Sequence, residues 1–203
     1  MSCIRNLGDG MLERLNTIRW SEFTDSSGSN GAEIPALIHR VTSGAAAERK
    51  AAVNSLRERL WKQGQVFEAT AHAVPFLLEL LPGSLVEAEL CLLLGLIAES
   101  TSYGPPESAA LADASFAAVR AGLPVYLELM GRPGKTQAQT DALVYLVFHL
   151  HEDREAIIPL LRPLMAPTLE WMIDIGLSPP APTSETRSAY GLLGAQALNT
   201  IET

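Results

Sequence analysis

Cysteine is scarce. Only Cys3 and Cys91 occur in 203 residues, the first near the start and the second inside an apolar stretch. Two such residues make neither a disulfide framework nor a zinc site, and they fit a reducing compartment. Long apolar runs are missing as well: the longest, Leu90 to Ala98, is about half of a bilayer span. The first twenty residues carry Arg5, Asp9, Glu13, Arg14 and Arg19, which excludes a signal-peptide core. A soluble, cytoplasmic protein is expected. Positive charge is in deficit, with 15 Lys and Arg against 23 Asp and Glu and a formal net charge of -8. Nucleic-acid binders need a basic stripe to exchange for phosphate counterions, and none is visible, so no nucleic-acid partner is expected. An acidic surface suits a basic partner better. Gly-x-Ser-x-Gly, His-Glu-x-x-His and Cys-x-x-Cys are all absent, and no cofactor or metal is expected.

What is present is apolar and periodic. Hydrophobic residues make up 47% of the chain, and the mean hydropathy of +0.14 excludes a disordered chain. Leu and Ala dominate, strand-like alternation is rare, and an all-α fold follows. The stretch Ala73-Val74-Pro75-Phe76-Leu77-Leu78-Glu79-Leu80-Leu81 returns in altered form around Pro35, Pro124 and Pro159. These prolines stand roughly 35 to 50 residues apart, the period of helical-pair repeats. Each copy is expected to place its proline near a helix start, where the missing N–H has no partner to lose. One helical pair cannot bury its own apolar stripe, so pairs stack, and the stack is the fold.

Taken in order, residues 1–32 read as an N-terminal cap, with Leu12, Leu15, Ile18 and Trp20 on one side and a flexible loop at 26–31. Residues 33–175 read as helical repeats. The first begins at Ile34-Pro35, and its second helix runs from Glu48 to about Gln63. The second repeat has a helix from about Ala71 to Leu81. A Ser84/Glu87 capping box then opens a helix to about Glu99 that is apolar almost all round. Val74 and Leu77 to Leu81, with Leu90, Leu93, Leu94 and Ile97, are expected to form the central layer. A third unit holds helices from Ser108 to Arg120 and, after a Thr136/Gln139 capping box, to near His151. Asp153 to Met165 opens a fourth. Residues 176–185 form a Pro-rich linker and 186–203 a C-terminal capping helix, giving one domain over 1–203.

The run Leu60-Trp61-Lys62-Gln63-Gly64-Gln65-Val66-Phe67-Glu68-Ala69-Thr70, leading into Ala73-Val74-Pro75-Phe76-Leu77, resembles bacterial HEAT-repeat proteins of the phycobilisome-lyase-like type. Gln63, Gly64, Glu68, Thr70 and Pro75 match that pattern. Lys62 stands where histidine is common, so a role for that imidazole is lost or moved. The match covers about residues 33–131. It implies an α-α superhelix, a short HEAT-like solenoid of about four helical pairs. It implies no single activity, because such repeats host scaffolds, toxin-neutralising proteins, bilin lyase subunits and some enzymes.

Two stripes stand out as candidate binding surfaces. Asn54, Arg57, Glu58 and Trp61 fall at i, i+3, i+4 and i+7 along the second helix of the first repeat. Asp141, Tyr145, Phe148, His149 and Glu152 fall opposite the expected core face of Leu143, Leu146, Val147 and Leu150. Aromatic and ionisable groups on a non-core face suit a groove, and the two stripes are expected to face the same one. Gln63 and Glu68 join the candidates from the matched turn, with Glu68 and His72 four apart and able to meet. His149 and His151, two apart, point to different sides and are not a metal pair. Gly131-Arg132-Pro133-Gly134-Lys135-Thr136 is not a P-loop, because Leu129 occupies the place of the required first glycine and the preceding element is a helix.

Two functions remain open from the sequence. One is a non-enzymatic interaction module that binds a protein partner in its concave groove, with an immunity- or adaptor-type protein as a concrete form. The other is an enzyme or small-molecule-binding protein that uses the groove near Trp61, Tyr145 and His149.

Overall fold

The structure, a computed structural model, describes residues 13–28, 30–100 and 106–164. Leu12, the expected linker at 176–185 and the expected capping helix at 186–203 lie outside them. After a helical turn at 13–17, eight helices follow: α1 (Ile34–Ser43), α2 (Ala46–Leu60), α3 (Glu68–Leu80), α4 (Glu87–Glu99), α5 (Pro106–Arg120), α6 (Leu123–Gly131), α7 (Gln137–Val147) and α8 (Arg154–Leu161). The fold is all-α and built of helical hairpins. α1 packs on α2 and α3, α3 on α5, and α6 on α7 and α8. α4 packs on α2, α5 and, most extensively, α7.

Proline placement follows the expected rule in two copies and departs from it in two. Pro35 and Pro124 sit in the first turns of α1 and α6. Pro75 and Pro159 lie inside α3 and α8. Both of these are exposed. The carbonyl one turn before each, which loses its helical partner, is therefore on the side that water can reach.

α2 stops at Leu60, earlier than its periodicity suggests. Trp61–Lys62 and Gln65–Val66 form a two-stranded antiparallel hairpin, with Trp61 opposite Val66 and Lys62 opposite Gln65. Gln63 (φ 52°) and Gly64 (φ 80°) make its two-residue turn, the left-handed pair that such hairpins demand. Thr70 closes the motif. Its buried hydroxyl accepts from the Phe67 N–H (3.0 Å) and donates to the Leu60 carbonyl (2.7 Å), tying the end of α2 to the start of α3.

The segment ahead of α1 is fastened to the same region. Trp20 packs its ring 6.1 Å from Phe76, Phe23 stacks on His72 at 4.1 Å, and the Glu68 carboxylate takes the N–H and the hydroxyl of Thr24, each at 2.9 Å. Glu68 and His72 therefore both hold this strap and do not form a pair with each other.

Of the two expected capping boxes, Thr136/Gln139 forms: Thr136 Oγ1 accepts the Gln139 N–H (3.2 Å) and Gln139 Oε1 accepts the Thr136 N–H (2.8 Å). Ser84/Glu87 does not. The Ser84 hydroxyl accepts from the Val86 N–H, and Glu87 turns inward. At 3% exposure its carboxylate meets Arg132 at 2.5 Å, while the second oxygen is buried without a hydrogen bond. Hydrogen bonding to Glu87 raises the pKa of the Arg132 guanidinium. One turn along, burial, with the Glu87 charge adding to it, pushes the Cys91 thiol up to about 12. Lys135 donates from Nζ to the Met130 carbonyl at 2.8 Å, so the Gly131–Thr136 loop uses its lysine to close itself.

The expected central layer is present, with Val74, Leu77, Leu81, Leu90, Leu93, Leu94 and Ile97 all buried, and Leu78 and Leu80 partly so. α4 is not covered all round, however. Leu85 is exposed, and Ala88, Glu89, Leu92, Leu96 and Glu99 are half-buried, which marks one open strip along the helix.

Leu93→Ala should cost about 2–5 kcal/mol in urea unfolding, from lost transfer energy plus a cavity. Leu85→Ala should stay within about 0.5 kcal/mol. Equal losses at the two positions would show that α4 is not the buried centre. Arg132→Met should cost about 1–3 kcal/mol by leaving the Glu87 carboxylate buried and unpaired. Adding Glu87→Leu should recover most of that loss in the same measurement, since an apolar pair removes the orphaned charge. A double variant no better than the single one would contradict this account.

Candidate functional site

α2, α4 and α7 lie side by side and expose one strip each to a common groove of about 320 Å³. Lys50 and Asn54 come from α2, Ala88, Glu89 and Leu92 from α4, and Ala138, Asp141 and Ala142 from α7. The hollow exists because three of these positions are alanine, and Leu92 supplies an apolar floor. The rim is polar, with Lys50 and Glu89 bridged at 2.9 Å, while Asp141, buried at 7% exposure, forms part of the wall and accepts from the Gln137 amide at 2.7 Å. Asn54 and Asp141, expected to face one groove, do so.

The rest of the second stripe is placed otherwise. α7 ends at Val147, and the chain then turns through 148–150 into a 3-10 turn at His151–Asp153. Tyr145, Phe148 and His149 are buried, at 3%, 0% and 0% exposure, as fully as the leucines of the opposite face. Tyr145 donates its hydroxyl to the Glu99 carboxylate, and the His149 ring meets it edge-on at 5.0 Å. Burial, reinforced by Glu99, raises the Tyr145 pKa. Glu152 and Asp153 grip Arg120, whose Nε and Nη2 reach Asp153 at 2.7 and 3.0 Å. The expectation of an open aromatic face on this helix is thus corrected, because α7 is packed on both sides by α4 and α6.

Arg57, Glu58 and Trp61 continue the α2 stripe away from the groove and line a second concavity of about 460 Å³ with Lys62, Gln63, Ser26 and Ser27. Tyr145 and His149 take no part in it. Trp61 is half-buried, and its indole N–H is shielded from solvent without an acceptor. A donor in that state costs about 1–3 kcal/mol. Among the described residues Arg57 and Lys62 form no ion pair, in contrast to Arg14, Arg19, Lys50, Arg59, Arg120 and Arg132. A still larger hollow of about 600 Å³ lies between Leu15, Asn16 and the Pro35–Arg40 stretch of α1, and none of the candidate residues reaches it.

The wall at Ser26 and Ser27 is held from below. Asp25, at 1% exposure, receives the Ser27 hydroxyl (2.6 Å), the Ser27 N–H (2.9 Å) and Arg59 (2.5 Å). Burial opposes the charge on Asp25, but these donors outweigh it and hold the carboxyl below its usual range. Ser26 adds a bond from its N–H to the Arg59 carbonyl at 2.9 Å.

Sequence reasoning missed Lys50, Ala88, Glu89, Leu92, Ala138 and Ala142. The available signal was in α4, where Ala88 and Glu89 interrupt an otherwise Leu-rich helix one turn before Leu92. Among the described residues, no group of three or more His, Cys, Asp or Glu could hold a metal ion. No described helix is long and apolar enough to cross a membrane. No protein-family model, curated protein or solved structure matches the chain.

Asp25→Asn should lower stability at neutral pH by about 1–3 kcal/mol, the usual worth of charge-assisted bonds to a buried group. Because the folded-state pKa is depressed, this contribution is present above the unfolded carboxylate value of about 3.9 and is lost as pH falls through the folded value. Thermal melts of parent and variant should therefore converge in acid. A gap that is unchanged from pH 7 down to pH 2 would contradict the assignment.

Proposed function

We propose that the protein is a non-enzymatic interaction module, a short HEAT-like solenoid that holds a protein partner in the groove across α2, α4 and α7. The observation that carries this reading is the groove itself, an open trough three helices wide, with an apolar floor at Leu92 and a charged rim. That is the anatomy of a protein interface, apolar at the centre and polar at the edge. The helix contacts support the stacked arrangement. α2, α4 and α7 succeed one another along one face, while α1, α3 and α5 do so along the other, as second and first helices of successive pairs do. Glu89 on the rim, in a chain of net charge -8, suits a basic group on the partner that takes over from Lys50. An adaptor or an inhibitor of a basic protein is the concrete form, acting in the cytoplasm.

The test is to fill the trough. Ala138 is exposed on α7, so Ala138→Arg adds a long side chain over the groove without disturbing the core. Affinity capture from the native host should recover a protein with the parent and lose it, by at least about tenfold, with the variant, both proteins melting alike. Identical capture by the two would overturn the groove as the binding surface.

A further inference from the structure

The Trp61 concavity has a chemistry distinct from that of the groove. Among the described residues, the groove carries Glu89 at its rim and Asp141 buried in its wall, and Lys50, the cation there, is bridged to Glu89. The Trp61 concavity carries, among the described residues, two cations, Arg57 and Lys62, neither in an ion pair, against one exposed acid, Glu58. Trp61 offers an amphipathic ring between them. α2 connects the two hollows directly, since Asn54 lines the first and Arg57, Glu58 and Trp61 line the second. From Asn54 to Trp61 is about 10 Å along a helix at 1.5 Å per residue, the span of about three extended residues.

We infer that the Trp61 concavity is the specificity end of the docking surface, and that it takes an acidic side chain of the partner segment, placed beside an apolar residue that lies on the Trp61 ring. This rests on the groove reading above and deepens it. The partner segment then has a direction in sequence, with a basic residue at the Glu89 end and, about three residues away, an aspartate or glutamate at the Arg57/Lys62 end. The Asp25–Arg59 pair holds the Ser26–Ser27 wall, so this end of the surface is built before the partner arrives. An unpaired pair of cations in an acidic protein also supplies the electrostatic register that keeps the segment from docking backwards.

The probe is a phage-displayed library of random 12-residue peptides, selected in parallel on the full-length parent, on Ala138→Arg and on the double variant Arg57→Glu/Lys62→Glu. Arg57 and Lys62 are half-buried and exposed respectively, so melting curves should confirm that the double variant folds as the parent does. The parent should enrich peptides with Asp or Glu next to an apolar residue, and the double variant should enrich Lys or Arg at that place. A parent-selected synthetic peptide should bind the double variant at least about tenfold more weakly, with affinity for the parent falling as salt rises. Peptides lost on Ala138→Arg but with the same acidic content on the double variant would overturn this inference and leave the groove reading intact. Enrichment on none of the three proteins would overturn both.

Discussion

α4 and α7 come so close that a Cβ on Gly95 would lie 2.6 Å from the Tyr145 ring. Glycine at that one position lets a tyrosine lie flat against the helix backbone, and the rest of the arrangement depends on it. With α7 fixed against one side of α4, α5 and α2 cover others, and Leu90, Leu93, Leu94 and Ile97 are sealed. Only the strip through Ala88, Glu89 and Leu92 stays open. The groove is thus the remainder of a leucine-rich helix that three neighbours could not quite enclose, deepened by alanines on both banks.

The same contact explains why Tyr145 and His149 are unavailable to a ligand. Tyr145 spends its hydroxyl on Glu99, at the far end of α4, and its ring edge is filled by His149. A catalytic reading of these residues would require the α4–α7 seam to open, and that seam holds the largest share of the buried layer. The residues on either side of the hairpin are likewise committed to structure. Thr70 joins the ends of α2 and α3, and Glu68 anchors Thr24. Gln63, Gly64, Glu68 and Thr70 are therefore positions that build or fasten the turn between α2 and α3, and none is left over for chemistry.

Much of the architecture was readable from periodicity. Helix starts at Ile34 and Leu123, the Thr136/Gln139 cap and the central leucine layer all come from local rules that depend on a few adjacent residues. The errors arise where tertiary packing decides. Glu87 has the spacing of a capping box but is drawn inward by Arg132, 45 residues away in the chain. The two-residue strands at Trp61–Lys62 and Gln65–Val66 are too short to leave a period-two signal, so the helical periodicity of α2 runs on to about Gln63. Phe148 and His149 were projected onto a helix that ends at Val147, and a wheel cannot show that both its faces are covered. Of the candidate site, Asn54, Arg57, Glu58 and Trp61 are legible as one helical stripe and Gln63 from the turn that follows it, whereas Asp141 lines the groove from a buried position that a wheel does not reveal. The floor of the groove is not legible either, because alanine and leucine carry no functional mark in a sequence already rich in both.

Charge completes the picture. Three arginines of this acidic chain are committed to buried or half-buried carboxylates: Arg59 to Asp25, with Glu33 beside it, Arg120 to Asp153 and Glu152, and Arg132 to Glu87. These pairs fasten the strap, the last hairpin and the start of α4, so they serve the fold. Arg57 and Lys62 serve none of these joints. Arg57 lies in the last turn of α2, where a cation complements the helix dipole, but that interaction contributes only about 0.3–1 kcal/mol and Arg59 already supplies it. Lys62 lies beyond the helix altogether. A half-buried and an exposed cation, unpaired among the described residues, beside a tryptophan whose N–H lacks an acceptor are a poor arrangement for stability alone. The proposed recognition role would use them better, because a partner's carboxylate would gain both charges against the partial loss of its own hydration and theirs.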